Sequence, residues 1–158
     1  MNDITDTSDI TIRLAELADA DVIARFNILL AQETEEISLD PPTIFAGVRA
    51  VLEDSRKGRY FLACIGECIV GQMMHTFEWS DWRNGELWWL QSVYVEREFR
   101  RRGVFRRLFQ HVLNEAKQST SVRGIRLYVE NENHRAHRAY QELGLEQAGY
   151  FVLQHLFV

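Results

Sequence analysis

A run of three arginines and a glycine, residues 100–103, is the first stretch of the chain whose residue types and spacing suggest a chemistry. It lies between a predicted strand over residues 92–95, rich in β-branched and aromatic side chains, and a helical pattern that begins at Val104. The first N–H groups of a helix have no intrahelical partner, and the helix dipole adds partial positive charge there. Because glycine also lets a ligand approach the backbone closely, this junction predicts a site for a phosphate-bearing ligand.

The elements that must position this junction follow from apolar periodicity. Short apolar or alternating stretches predict strands over residues 10–14, 60–65, 68–77, 86–95, 125–129 and 150–158. Apolar residues at three-to-four spacing predict helices that begin near residues 19, 41, 104 and 133, and residues 78–85 are predicted to be a loop. The predicted order is β-α-α-β-β-β-α-β-α-β.

This order favours an α/β (α+β) fold with one mixed, mostly antiparallel sheet of about six to seven strands, flanked by about four helices. The helix that begins at Val104 is a crossover between the strands over residues 86–95 and 125–129. Such a connection makes those two strands parallel neighbours with right-handed connectivity.

Length and composition indicate one domain over residues 10–158, after a flexible N-terminus over residues 1–9. The sequence has no signal peptide pattern and no apolar run long enough to span a bilayer, so we expect a cytoplasmic protein without a membrane partner. The two cysteines, Cys64 and Cys68, do not make a zinc site, and we expect buried, reduced thiols and no metal. The net charge of −5 argues against nucleic acid as a partner.

Two motifs make the chain resemble a known family. Val93-x-Val95 leading to Arg100-x-x-Gly103-x-Phe105 matches a strand followed by a [Gln/Arg]-x-x-Gly-x-[Gly/Ala] loop. Asn133-x-x-Ala136-x-x-x-Tyr140-x-x-x-Gly144-Leu145 matches an Asn-x-x-Ala-x-x-x-Tyr-x-x-x-Gly-Phe helix. A single short motif recurs by chance, but two in the expected order are more specific. The chain therefore resembles the GNAT superfamily, the general-control-type acyl-CoA-dependent N-acetyltransferases.

The resemblance implies a GNAT fold and acetyl-CoA as the cofactor. In this family coenzyme A lies in a splay between two parallel strands, here over residues 92–95 and 125–129, whose unpaired backbone groups bond the pantetheine arm. The N–H groups of residues 101–106 would cradle the pyrophosphate, with arginine side chains adding charge-assisted contacts. The Asn133 amide would bond the pantetheine arm. The residues that the resemblance assigns to the cofactor are Val93, Tyr94, Val95, Arg100, Arg101, Arg102, Gly103, Val104, Phe105, Arg106, Asn133, Ala136 and Tyr140.

Phe105 departs from the family pattern, which has glycine or alanine at this place. A small residue leaves room for the pyrophosphate at the start of the helix. The interpretation therefore requires that the Phe105 ring turn toward the core, beside Phe109 and Leu113, and leave the backbone N–H groups accessible.

The resemblance makes Tyr140 the general acid. Acetyl transfer to an amine expels a thiolate from a tetrahedral intermediate, and a phenol bonded to that sulfur can protonate it. For the general base we predict Glu86. Some relatives carry the base at the position that Trp89 occupies here, so Glu86 needs a bulge in the strand to reach that side of the sheet. The alternatives are an ordered water with no dedicated base and four further side chains: Glu33, His75, Glu78 and Glu130.

The expected acceptor is a primary amine of a small molecule or peptide. Trp79 and Trp89 would belong to an aromatic wall of its pocket; the structural alternative is that they pack in the core. Glu33, on the acidic tail of the first helix, would attract the amine; the structural alternative is that it lies on a solvated helix face. An alternative function is a non-catalytic acyl-CoA-binding regulatory module on the same fold. A polyanion binder that uses the arginines is a third hypothesis, which the net acidity disfavours. A homodimer is possible.

Overall fold

The computed structural model describes residues 9–157, so the predicted flexible N-terminus lies almost wholly outside the described residues. The chain divides into two compact units with bounds Met1–Leu127 and Tyr128–Val158. A single domain over residues 10–158 therefore stays a prediction. None of the described helices is both long enough and apolar enough to cross a membrane.

Among residues 9–157, the first unit contains a five-stranded sheet and three α-helices, and the second unit contains one α-helix. In chain order the elements are β1 (Ile10–Leu14), α1 (Ala20–Glu35), α2 (Pro41–Glu53), β2 (Arg59–Ile65), β3 (Cys68–Ser80), β4 (Gly85–Val95), α3 (Val104–Gln118), β5 (Val122–Leu127) and α4 (His134–Glu142). The α2 helix begins where the sequence predicts it, because the Asp40 side chain accepts from the Thr43 N–H and proline occupies the first turn.

The sheet has the strand order β1-β2-β3-β4-β5. The first four strands pair antiparallel, whereas β4 and β5 pair parallel across the α3 crossover. The mixed, mostly antiparallel sheet and the parallel neighbours are therefore confirmed. The order also leaves β5 at one edge of the described sheet.

Helices cover both faces of the sheet. On one face, here called the α1 face, α1 and α2 pack on a buried cluster that includes Tyr60, Leu62 and Met74. On the other, the α3 face, the buried stripe of α3 covers the strands with Val104, Leu108 and Val112. Because successive strand residues point to opposite faces, each strand residue is assigned to one of the two.

The predicted strand count of about six to seven was too high, since the described sheet has five strands. The predicted last strand over residues 150–158 accounts for the difference, because residues 150–157 form no strand and expose Phe151 and Phe157. Alternating apolar residues favour an extended backbone, but a strand also requires a neighbour to pair with its N–H and C=O groups.

The predicted loop over residues 78–85 was also too long. β3 continues to Ser80, which pairs with Gly85 of β4, so Glu78 and Trp79 are strand residues with fixed facing. Cys64 is buried as expected, but Cys68 is exposed because it begins β3 directly after the turn. Both thiols are free.

Candidate active site

β4 contains a bulge at Ser92 and Val93. Tyr94 pairs with Gln72 and Gln91 pairs with Met74, so two β4 residues lie opposite the single residue between them on β3. Ser92 has a φ of 50°, which is uncommon for a residue other than glycine. The extra residue inverts the alternation, so that odd-numbered residues before the bulge and Tyr94 after it share the α1 face.

β4 extends beyond its parallel pairing with β5. Within the described residues, the pairing with β5 ends at Leu90 and Leu127, whereas β4 continues to Val95. Residues 91–95 thus run beyond the β5 ladder, whereas residues 125–127, which the resemblance placed beside the splay, pair with residues 88–90. Two of the backbone groups at its end are engaged, because the Val95 carbonyl accepts from Arg100 Nε at 2.8 Å and the Glu96 N–H donates to Val70 at 2.9 Å.

The turn after β4 prepares the start of α3. Arg101 and Gly103 both have positive φ, at 64° and 80°, and Gly103 is the residue before the first helical turn. Since glycine has no side chain, it cannot cap the first helical N–H groups as serine or aspartate would. The side chains of Arg101, Arg102 and Arg106 are exposed.

Phe105 lies in the first turn of α3, next to Phe109. Its ring is partly buried, and its centroid is 6.2 Å from the centroid of the Phe109 ring. Val104 before it is buried against the sheet. The ring thus extends along the apolar stripe, a direction compatible with a ligand at the first turn of the helix.

Glu33, near the end of α1, is bonded to the arginine turn. Its carboxylate accepts from Arg100 Nη2 at 2.6 Å, from Arg97 Nε at 3.3 Å and from the Tyr94 hydroxyl at 3.1 Å. The Arg100 guanidinium also lies over the Tyr94 ring, 5.4 Å from its centroid. The structure therefore places Glu33 at the arginine-glycine turn before α3, where its charge is compensated by arginines.

The same contacts shift two pKa values in opposite directions. Burial alone would raise the pKa of Glu33, but hydrogen bonds from Arg100 and Tyr94 outweigh it and hold that pKa below its usual value. Burial, and then the charge of Glu33, raise the pKa of the Tyr94 phenol. Tyr94 is therefore protonated at neutral pH and donates to an ionised Glu33.

A second polar cluster lies on the α1 face further along the sheet. Glu78 Oε2 accepts from Trp89 Nε1 at 3.1 Å and from Arg126 Nη1 at 3.2 Å. The Arg126 guanidinium lies 5.9 Å from the centroid of the Trp89 ring. Glu78 thus brings a carboxylate from β3 to the side of Trp89. Sequence reasoning missed Arg126, because only the β4–β5 register, which pairs it with Trp89, reveals the contact.

Glu86 and Trp79 are on the opposite face. They pair with each other across β3 and β4, and the Trp88 indole donates to Glu86 Oε2 at 3.3 Å. Glu86 lines an open cavity of about 700 Å³ on the α3 face. The bulge expected to turn Glu86 lies six residues downstream at Ser92 and leaves its facing unchanged. The structure therefore brings neither Glu86 nor Trp79 to Trp89.

His75, another alternative base, is fully buried on the α3 face. Its ring stacks on Trp88 with centroids 3.9 Å apart and on Phe61 at 5.9 Å. Neither ring nitrogen has a hydrogen-bond partner among the described residues, and burial lowers its pKa to about 4. His75 therefore has no access to an acceptor amine.

The second unit contains the other motif. Asn133 caps α4 with its side-chain oxygen, which accepts from the Ala136 N–H at 3.1 Å. The helix ends at Glu142 and is followed by Gly144, whose φ of 89° favours glycine; the Tyr140 carbonyl accepts from the Leu145 N–H at 3.0 Å. Burial raises the pKa of the Tyr140 phenol, so it carries its proton at neutral pH. The motif residues thus form a capped helix that carries a protonated phenol.

Comparison with known proteins identifies the family. The family model described as the acetyltransferase (GNAT) family matches residues 24–145. A solved structure of a possible acetyltransferase from Clostridium difficile 630 is 43% identical, with a TM-score of 0.89, and the match covers 94% of this chain and 98% of that chain. A search of curated proteins finds no match.

More distant solved structures share the fold. A predicted acetyltransferase with acetyl-CoA from Clostridium acetobutylicum is 16% identical with a TM-score of 0.76, covering 92% of this chain and 96% of that chain. A ribosomal-protein-alanine N-acetyltransferase from Brucella melitensis biovar Abortus 2308 is 16% identical with a TM-score of 0.75, covering 93% and 99%. With the family model spanning most of its length, the chain belongs to the GNAT acetyltransferase family.

Proposed function

We propose that the chain transfers an acetyl group from acetyl-CoA to a primary amine of a small molecule or peptide by direct attack. The observation that carries the proposal is the β4 edge beyond Leu90, which runs past the β5 ladder and leads into the arginine-glycine start of α3. Backbone amides on an open strand edge suit the pantetheine arm, and an uncapped helix start suits its phosphates.

The chain's own groups fit this ligand. Backbone groups of Val93 and Tyr94 would bond the amides of the arm, and N–H groups at the start of α3 would bind the pyrophosphate. Arg101, Arg102 and Arg106 are exposed beside that helix start and would add charge. Arg100 has a different role, since it already holds Val95 and Glu33 and thereby shapes the turn.

In the proposed mechanism, bound acetyl-CoA supplies an acetyl thioester and the acceptor amine attacks its carbonyl carbon. The thiolate of coenzyme A would be the leaving group. Tyr140 would give its proton to that sulfur, and the raised pKa of its phenol supports this acid role. Asn133 would contribute its amide nitrogen, because its side-chain oxygen caps α4.

We infer that Glu78, rather than Glu86, removes the proton from the acceptor ammonium. Glu78 lies beside Trp89 on the α1 face, and its Oε2 atom is held by Trp89 and Arg126. The second carboxylate oxygen, Oε1, would accept the proton. Trp89 would contribute to the acceptor wall, whereas Trp79 lies on the α3 face and the charge of Glu33 is compensated by Arg97 and Arg100.

Binding and turnover test the proposal separately. Acetyl-CoA should raise the Tm of the chain, and thiol release should be detected with at least one member of a panel of amines, polyamines, aminoglycosides and peptide N-termini. Tyr140→Phe should lower turnover about 10²-fold or more without weakening acetyl-CoA binding. Tyr150→Phe, which alters an exposed tyrosine of the same unit, is the matched control.

Two outcomes would contradict the proposal. Binding of acetyl-CoA without turnover across the whole panel would favour the regulatory acyl-CoA-binding module. Unchanged turnover in Tyr140→Phe, measured with a true acceptor, would remove the acid role from Tyr140.

A further inference from the structure

Gln72 is a polar residue of β3 whose side chain is fully buried. Its Nε2 atom donates to the Ser92 carbonyl at 3.1 Å and to Asn27 Oδ1 at 2.8 Å. Since a backbone carbonyl can only accept, the Nε2 atom must be the one that faces Ser92. Gln72 therefore bonds the first residue of the β4 bulge across the sheet.

The position of Gln72 is costly for the fold. Its Oε1 atom is buried and has no hydrogen-bond partner among the described residues. An unsatisfied buried acceptor destabilises a protein, and an apolar side chain of similar shape would avoid that cost. The two hydrogen bonds that Nε2 donates thus offset the cost of burying this amide.

The network continues from Gln72 into α1 and β2. Asn27, in α1, donates from Nδ2 to the Tyr60 hydroxyl at 3.1 Å, and Tyr60 belongs to the buried cluster on the α1 face. The Ser92 carbonyl is thereby tied through two amides to a rigid part of the core. A serine with positive φ needs such support, because the conformation is strained.

The bulge sets the facing of the β4 residues after it. It turns Tyr94 to the α1 face, where its ring lies 5.1 Å from Phe26 and its hydroxyl donates to Glu33. Glu33 in turn holds Arg100 of the turn before α3. If the bulge relaxed into regular pairing, Tyr94 would face α3 and this connection would be lost.

We propose that Gln72 and Asn27 are positioning residues that hold the Ser92 bulge, and with it the open edge of β4 that receives the pantetheine arm of an acyl-CoA. The inference rests on the proposed function for the ligand, but its structural half can be measured without one. The residues act through the β4 backbone and touch no reacting atom.

The test is Gln72→Met, which removes the donor and keeps the length of the side chain. Amide hydrogen exchange at residues 92–94 in the free protein should rise about tenfold, while exchange in β2 stays at the wild-type rate. Acetyl-CoA should bind about tenfold more weakly, with a smaller change in kcat once the cofactor is saturating. Met74→Leu, a buried change on the same strand and face without a hydrogen bond, should alter neither.

Asn27→Leu is the second variant in case Gln72→Met fails to fold, and it should give the same local effect because it removes the acceptor for Gln72. Unchanged exchange at residues 92–94 in the folded variants would overturn the inference. Raised exchange with unchanged acetyl-CoA affinity would overturn the link to the ligand. If exchange rises in the variants but the wild-type protein binds no acetyl-CoA, Gln72 and Asn27 hold the Ser92 bulge and the proposed function is overturned.

Discussion

At the scale of single residues, the face of the sheet on which a carboxylate lies decides whether it can act as the general base. Glu78 and Glu86 lie on adjacent strands near the β3–β4 turn, but Glu78 belongs to the α1 face with Trp89 and Glu86 to the α3 face with Trp88. Both carboxylates are partly buried, and both accept a hydrogen bond from a tryptophan indole. The two side chains therefore have similar chemical surroundings. Their different positions make them a natural pair of variants.

We expect Glu78→Gln to lower kcat about 10²-fold, because an amide cannot accept the ammonium proton. Acetyl-CoA affinity should not change. Glu86→Gln should retain turnover within about twofold, since a residue on the other face does not meet the acceptor. Steady-state kinetics over pH with both variants would decide which carboxylate is the base. A large loss of turnover in Glu86→Gln, with turnover retained in Glu78→Gln, would identify Glu86 as the base.

His75 predicts how stability depends on pH. Its pKa is about 4 in the folded chain against a usual 6.5, so the folded state prefers the neutral ring. The stability that this preference contributes is complete above pH 6.5 and is lost as the pH falls toward 4. Between pH 7.5 and 5 the loss should be about 2 kcal/mol.

Urea unfolding at the two pH values measures this loss. His75→Phe should reduce the pH dependence, because a phenyl ring keeps the stacking on Trp88 and Phe61 and has no proton to bind. His134→Gln, at an exposed position, should leave the dependence as in the wild type. An unaltered slope in His75→Phe would show that other groups cause the acid destabilisation.

At the scale of elements, α3 and β4 both approach β3 closely at Gly71. A Cβ added there would lie 3.0 Å from the Tyr94 carbonyl oxygen and 3.1 Å from Val104 Cγ1, so a methyl group must displace the edge of β4 or the first residue of α3. Gly47, in α2, is the contrasting glycine, because an added Cβ meets nothing within 4 Å.

We expect Gly71→Ala to destabilise the chain by about 1–2 kcal/mol and to weaken acetyl-CoA binding, since both displaced groups border the proposed site. Gly47→Ala should instead stabilise by about 0.5–1 kcal/mol, because alanine is the better residue in a helix interior. Thermal unfolding and isothermal titration measure both effects. Equal affinities for acetyl-CoA in the two variants would argue against a site beside Gly71.

At the scale of the whole molecule, charge is distributed unevenly. The chain has a net charge of −5, yet exposed arginines concentrate at the turn before α3 and in its first turn. In an acidic molecule, a basic region of this kind attracts a small anion, while the net negative charge opposes the binding of extended polyanions.

Binding of acetyl-CoA should therefore weaken severalfold between about 50 and 300 mM salt, because exposed charge pairs are screened. S-acetylpantetheine, which lacks the nucleotide phosphates, should bind with little salt dependence. Isothermal titration with the two ligands tests this difference. Equal salt dependence for both would place the phosphates away from the arginines.

The sequence predicted those features that depend on local pattern. Strand β4, the arginine-glycine turn and α3 follow from residue types and periodicity, and α4 follows from its motif. The bulge at Ser92 and the contact of Glu78 with Trp89 and Arg126 depend on pairing between strands. Neither has a local signal, because serine is not a typical residue for positive φ and register is set by partners distant in the chain.

The bulge in β4 has a consequence for insertions and deletions. Removing Ser92 would restore regular pairing with β3, and every side chain from Val93 to Val95 would exchange its buried neighbours for those on the other side of the sheet. Loss of one residue would thus be more damaging than any substitution at the same place. Among natural relatives, the distance between Trp89 and Gly103 should therefore be conserved in length even where the residues between them vary.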